Sequence, residues 1–290
     1  MQIHKAKKSL GQNFLKSNLV IKKIVEAGEI SPDDIILEIG PGKGALTEKL
    51  LEKSNCIIAI EKDKNLFQFL QEKFAKEITE KKLILLEEDI LNLDISSNFS
   101  SLRPSRITGW DPREAQNRKG YPDFDYKIIA NIPYNITGAI FKKFLTEKNQ
   151  PEMMILMVQH EVAKRIVARN GKESILSISI KAYGEPKLIT KVPSRYFSPE
   201  PAVDSAVIAI KNISRRTFIE NNANEDFFWE VVRAGFAHKR KKLSSNLKNL
   251  IKNSNYIDEN LIKTLGNKRA EELSLIDWIN ISKNINIHKK

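Results

Sequence analysis

The 290-residue chain has a single cysteine, Cys56, so it can form no intrachain disulfide and assemble no Cys-rich zinc site. Cys56 reads as a small buried residue at the start of a strand, and no metal is expected. No apolar run approaches the roughly 20 residues of a membrane span. The opening stretch MQIHKAKKSLGQ lacks the apolar core of a signal peptide. A cytoplasmic protein is the expectation. Acids are in deficit: 36 Asp and Glu stand against 48 Lys and Arg, a net charge of +12. Such an excess suggests a polyanionic partner, most often nucleic acid, although a lysine-rich coding bias gives the same composition. The apolar content of 41% supplies one large core and a small second unit.

What is present is organised around Ile35 to Thr47, IILEIGPGKGALT. An apolar run carrying one acid, Glu38, meets three glycines, Gly40, Gly42 and Gly44. A helical pattern through Leu46, Leu50 and Leu51 follows at once. The pattern is a buried strand, a tight turn and a helix start. Glycine is required where the backbone takes positive φ or where a ligand lies against bare main chain. The stretch therefore reads as the nucleotide-binding corner of a doubly wound α/β domain; a glycine turn can also simply end a strand. A dinucleotide fingerprint needs G-x-G-x-x-G, and G-P-G-K-G is one residue short. The next strand, Ile57 to Ile60, ends in Glu61, where an acid can hold a ribose diol. S-adenosylmethionine, with a ribose and no phosphates, fits better than NAD.

The alternation continues along the chain. Helices are expected over Leu19–Ala27, 45–53 and Lys64–Glu77, with a third strand over Leu83–Leu86. Asp89, just beyond it, either accepts from an adenine amino group or is a solvated loop acid. Residues 96–125 lose all periodicity and read as a long surface loop. Strand Tyr126–Ala130 then ends in Asn131-Ile132-Pro133-Tyr134. Its amide, stiffened carbonyls and flat ring suit a planar group bearing an NH2. Helix 138–147, strand Met153–Val158, helix Val162–Ala168 with Arg165, strand Ile175–Tyr183 and strand Val203–Ile210 complete an α/β first domain, 1–211. His160 reads as a surface or capping residue. Residues 212–290 are helical only, with helices expected over Phe227–Phe236, 238–249, Asp258–Leu265 and Glu271–Ile281. Their run HKRKKLSSNLKN, 238–249, carries Lys239, Arg240, Lys241 and Lys242, and is either a solvated face or, as favoured here, a phosphate-binding one.

The blocks KSLGQNFL, LEIGPGKGALT, AIEKD, EEDIL, ANIPYNIT, VPSRYFSPEPAVDSAV and FAHKRKKLSSNL, in this order, resemble the small-subunit ribosomal RNA adenine dimethyltransferases across nearly the whole chain. The resemblance implies a Rossmann-like class I methyltransferase sheet with a small all-α C-terminal domain. It implies transfer of four methyl groups from S-adenosylmethionine to two adjacent adenines near the end of small-subunit rRNA, in an assembling subunit. It implies that Asn13, Leu15, Gly40 and Gly42 meet the cofactor, that Glu61 holds its ribose and that Asp89 meets its adenine. Asn131 would bridge cofactor and target base, with Tyr134 and Phe197 sandwiching that base. Lys239 to Lys242 and Arg165 would meet RNA. Nothing demands a dimer, and a monomer is expected. Three other readings are an adenine methyltransferase of large-subunit rRNA, a DNA adenine methyltransferase, and a non-catalytic RNA-binding assembly factor. The departure from the family is loop 96–125, much longer than its usual link.

Overall fold

The computed structural model describes residues 6–7, 10–94, 125–168, 173–252, 256–257 and 267–286. The long loop expected over 96–125 lies, but for Asp125, outside the described residues, as does the helix expected over Asp258–Leu265. The described elements begin with β1 (Phe14–Leu15), α1 (Asn18–Ala27), β2 (Ile35–Ile39), α2 (Ala45–Leu51) and β3 (Cys56–Glu61). They continue with α3 (Lys64–Lys73), α4 (Ala75–Thr79), β4 (Leu83–Glu87), β5 (Tyr126–Asn131), α5 (Thr137–Thr146), β6 (Met153–Gln159) and α6 (His160–Ile166). Helix α7 (Ile175–Lys181) and strands β7 (Glu185–Val192), β8 (Phe197–Ser198) and β9 (Ser205–Lys211) follow.

Seven strands form one sheet in the order β4-β3-β2-β5-β6-β9-β7. The pairs from β4 through β6 are parallel, and β9 runs antiparallel to β6. Strands β2, β3 and β6 are buried almost end to end, as sheet strands covered on both faces must be. The order reverses between β2 and β5, so the carboxyl ends of β2, β3, β4 and β5 flank a topological switch point, where such sheets bind ligands. A buried lysine sits in β5: Lys127 Nζ donates to Asp34 at 2.7 Å and to the Glu29 carbonyl at 2.9 Å.

Several elements differ from the sequence expectation, and the region read as helical only also holds a short antiparallel strand pair, Tyr256–Ile257 with Ile285–Asn286. Ile175–Tyr183 is not a strand but the helix α7. A capping box decides it: Ser177 N–H donates to Ser174 Oγ at 3.1 Å, and Ser174 N–H to Ser177 Oγ at 2.7 Å. The alternating Ile and Ser of ILSISI mimic a strand, but the local cap outweighs the pattern. The strand comes later, as β7, at the sheet edge, where its Pro186 and lysines are tolerated. The helix expected over Lys64–Glu77 breaks at Phe74, which leaves helical geometry at φ −111° and is buried.

The chain forms two compact units: residues 1–163 with 187–213, and residues 164–186 with 214–290. The stretch 164–186, which a single cut at 211 assigns to the first domain, thus belongs to the second unit. In that unit helix α9 (Glu225–Gly235) packs on α12 (Leu275–Asn284); the short helix α8 (Arg216–Glu220) precedes α9, and the short helices α10 (Leu243–Asn246) and α11 (Lys248–Lys252) lie between α9 and α12 in sequence. Gly235 makes that packing possible, because a Cβ there would lie 2.3 Å from the Trp278 ring.

Candidate active site

A cavity of about 200 Å³ opens at the carboxyl ends of β2, β3, β4 and β5. The glycine corner forms its floor. Gly40, Gly42 and Gly44 all take positive φ, 66°, 61° and 76°, which L side chains avoid. Two of them need glycine for different reasons. A Cβ on Gly44 would meet the Phe74 ring at 2.5 Å, so this glycine lets α3 pack on the corner. A Cβ on Gly40 would meet only Pro133, at 4.0 Å, so the space above this glycine belongs to the cavity.

Two carboxyls stand behind the floor. Glu38, inside β2, is 1% exposed and accepts from Thr47 Oγ1 at 2.7 Å. Burial pushes it up to about 8, and the Thr47 bond only partly offsets this. Glu61 ends β3. Its carboxylate accepts from Gly42 N–H at 3.1 Å and from Asp63 N–H at 2.9 Å. Burial raises it above the ordinary carboxylate range despite those bonds. Asp89 follows β4, where Lys62 Nζ at 2.7 Å and Leu91 N–H at 3.0 Å hold it. The Lys62 bond is the main reason its carboxyl lies below the ordinary range.

The opposite side is the Asn-Pro-Tyr loop. Asn131 ends β5, and its Nδ2 donates to the Asn13 carbonyl at 3.2 Å. Among the described residues, none donates to the Ile132 carbonyl. Pro133 precedes a short turn of 3₁₀ helix, and the Tyr134 hydroxyl is 2.5 Å from Ser205 Oγ of β9, which is fully buried. That bond fixes the ring, which lines the cavity. The third side is the segment Leu10–Leu15, with Phe14 packed against Gly42 and Lys43 Nζ 4.9 Å from the centre of the Phe14 ring.

The structure thus brings Asn13, Leu15, Gly40, Gly42, Glu61, Asp89, Asn131 and Tyr134 to one cavity. It does not bring Phe197 there. Phe197 pairs with Leu15 in the β1–β8 ladder and is 1% exposed, within the core. The four basic residues Lys239–Lys242 are all exposed, in a turn between α9 and α10 and not on a helix as expected for 238–249. Arg165 is exposed on α6. Sequence reasoning gave no role to Glu38, Asp63 or Ser205. An acid within an otherwise apolar strand was the available signal for Glu38; nothing local announced Ser205, whose partner lies 71 residues away.

A ribosomal RNA adenine dimethylase family model matches residues 3–286. "Ribosomal RNA small subunit methyltransferase A" of Dehalococcoides mccartyi (strain CBDB1) is 40% identical over 277 residues, covering 94% of this chain and 86% of that protein. The protein of the same name from Fusobacterium nucleatum is 36% identical over 283 residues, covering 96% and 97%. Among solved structures, a dimethyladenosine transferase from Plasmodium falciparum superposes with a TM-score of 0.72 at 24% identity, covering 92% of this chain and 95% of that one. The 23S rRNA methyltransferase ErmE gives 0.68 at 22% identity, covering 94% and 99%. These last two carry the fold alone. With the match spanning nearly its full length, the chain belongs to the ribosomal RNA adenine dimethylase family.

Proposed function

We propose that the chain transfers methyl groups from S-adenosylmethionine to the 6-amino groups of two adjacent adenines near the end of small-subunit rRNA, within an assembling small subunit in the cytoplasm, as a monomer. The observation that carries the reading is the convergence of Asn131 with the Ile132 carbonyl on the cavity that Gly40, Glu61 and Asp89 line. These residues fit the cofactor. Bare main chain at Gly40 leaves room for a ligand, and the two carboxylates suit a ribose diol and an adenine amino group. Asn13 and Leu15 would cover it from the N-terminal side.

When bound, the cofactor supplies an electrophilic methyl group on sulfonium sulfur. The residues supply alignment. An adenine amine is conjugated with its ring and is a poor nucleophile. Hydrogen bonds from it to the Asn131 side-chain oxygen and the Ile132 carbonyl pull the nitrogen toward tetrahedral geometry. They also stabilise the positive charge that grows on it. A base must leave its stack to reach the cavity. The Tyr134 ring, anchored by Ser205, repays part of that cost, as stacking is worth roughly 1–3 kcal/mol per base. Phe197, buried within the β1–β8 pair, can supply a second face only after that pair moves. Lys239 to Lys242 and Arg165 are assigned to phosphates.

Purified protein is incubated with labelled S-adenosylmethionine and small subunits lacking the dimethyladenines, with large subunits and duplex DNA alongside. Label confined to small subunits, digesting to dimethyladenine, is expected. Label on large-subunit RNA or on DNA would move the substrate to another class. No label with cofactor bound would make the chain an assembly factor that kept only the cavity.

A further inference from the structure

The segment Leu10–Leu15, which lines one side of the cavity, is held at Phe14–Leu15 by the backbone ladder with β8, and ahead of that ladder by side chains. One tie is the Asn131 bond to the Asn13 carbonyl. Another is a carboxylate outside the cavity. Asp63 Oδ1 accepts from Lys7 Nζ at 2.7 Å, and Asp63 Oδ2 accepts from Gln12 Nε2 at 2.8 Å. Gln12 Oε1 in turn accepts from Lys7 N–H at 2.7 Å, so Lys7 and Gln12 are clamped to each other as well as to Asp63. The Asp63 side chain is 0% exposed, whereas that of Lys7 is 42% exposed. A buried carboxylate must be fully bonded to be stable, and this one meets two donors from the N-terminal segment. Burial works against its charge, but the Lys7 and Gln12 bonds prevail and hold the carboxyl below its ordinary range. Asp63 N–H also donates to Glu61 Oε1, whose other oxygen accepts from Gly42 N–H. A continuous chain of hydrogen bonds therefore runs from Lys7 and Gln12 through Asp63 to Glu61 and the glycine floor.

We propose that Asp63 is a positioning residue for cofactor binding: it latches the N-terminal segment 10–15 over the cavity and couples that closure to the orientation of Glu61. The inference rests on the reading of the cavity as an S-adenosylmethionine site. Asp63 also caps α3 through Asn65 N–H at 3.0 Å. An amide oxygen in place of Oδ1 keeps this cap, while an NH2 in place of Oδ2 faces the Gln12 donor and the charge that holds Lys7 is gone, so Asp63→Asn weakens the latch and spares the cap. Lys7→Met removes the latch from its exposed end and leaves the sheet untouched.

The test is calorimetric titration of S-adenosylmethionine into wild type, Asp63→Asn, Lys7→Met and the double variant, with hydrogen exchange of residues 10–15 and thermal melting on each. Asp63→Asn is expected to raise Kd about tenfold, as when the closed segment is populated a tenth of the time. Turnover at saturating cofactor should fall by less. The amides of 10–15 should exchange faster at a nearly unchanged melting temperature. The double variant should bind no more weakly than Asp63→Asn alone, because both substitutions break one link. Unchanged Kd in Asp63→Asn, additive effects, or weaker binding that tracks a lower melting temperature with no change in exchange would each overturn the latch. A wild type that does not bind S-adenosylmethionine would overturn the cofactor reading; the exchange of residues 10–15 would still decide the latch.

Discussion

The cavity and the basic turn are built on opposite plans. At the cavity each functional group is interlocked: Glu38 with Thr47, Glu61 with Gly42, Asp89 with Lys62, Tyr134 with Ser205. At Lys239–Lys242 the cations are exposed, and among the described residues no acid pairs with Lys239, Arg240 or Lys241. A group whose bonds are already made is pre-organised, so its loss is felt in the barrier or the fold. A solvated cation acts by its charge alone, so its loss is felt in affinity and is screened by salt. Substitutions in the first region should be large and specific, and those in the second small and additive.

The largest effect is expected at Asn131. Asn131→Ala should lower turnover about 100- to 1000-fold, the usual loss for one pre-organised group at a developing charge. Affinity for S-adenosylmethionine should stay within a few-fold. Near-normal turnover in that variant would remove Asn131 from the chemistry. Next comes Gly44→Ala, which places a methyl against the Phe74 ring at a positive φ. A loss of about 3 kcal/mol in urea unfolding is expected from overpacking and backbone strain together. A neutral result would mean that the α3 contact with the corner is loose.

Glu38 gives a pH signature. Its carboxyl sits at about 8 in the folded chain against an ordinary value of 4.5. Between those values the folded state holds a proton that the unfolded state has released. Stability therefore falls as pH rises through that window, by up to about 1.4 kcal/mol per pH unit, and levels above it. Glu38→Gln should remove this part of the slope in denaturant titrations from pH 5 to roughly 9. A constant difference between variant and wild type would show that Glu38 titrates normally. The smallest effect is expected at the turn. Lys241→Ala should weaken RNA binding only a few-fold and reduce the slope of log affinity against log salt by about one. No change in that slope would take Lys241 off the phosphates.

Much of the cavity was legible because its residues lie at the ends of strands. Each apolar run, at β2, β3, β4 and β5, stops at the carboxyl edge, so Gly40, Glu61, Asp89 and Asn131 could be placed from the pattern alone. Phe197 could not. Its block lies in a proline-rich loop whose path depends on the pairing of Phe14–Leu15 with Phe197–Ser198, a contact over some 180 residues that no local signal encodes. The helix α7 was missed for the opposite reason: its capping box is local, but ILSISI also carries the alternation of a strand.

The sequence by itself determined the α/β alternation, the glycine corner and the identity of the acids and amide at the strand ends. Hydrophobic periodicity and backbone stereochemistry act over a few residues and can be read there. Only the tertiary structure decided the strand order that gathers those ends at one switch point, the burial that raises the Glu38 carboxyl, the bond that pins Tyr134 to Ser205, and the carboxylate of Asp63 that ties the N-terminal segment to the cavity. Each of these depends on groups far apart in the chain, brought together by burying the sheet, and a desolvated group answers to its neighbours in space rather than in sequence.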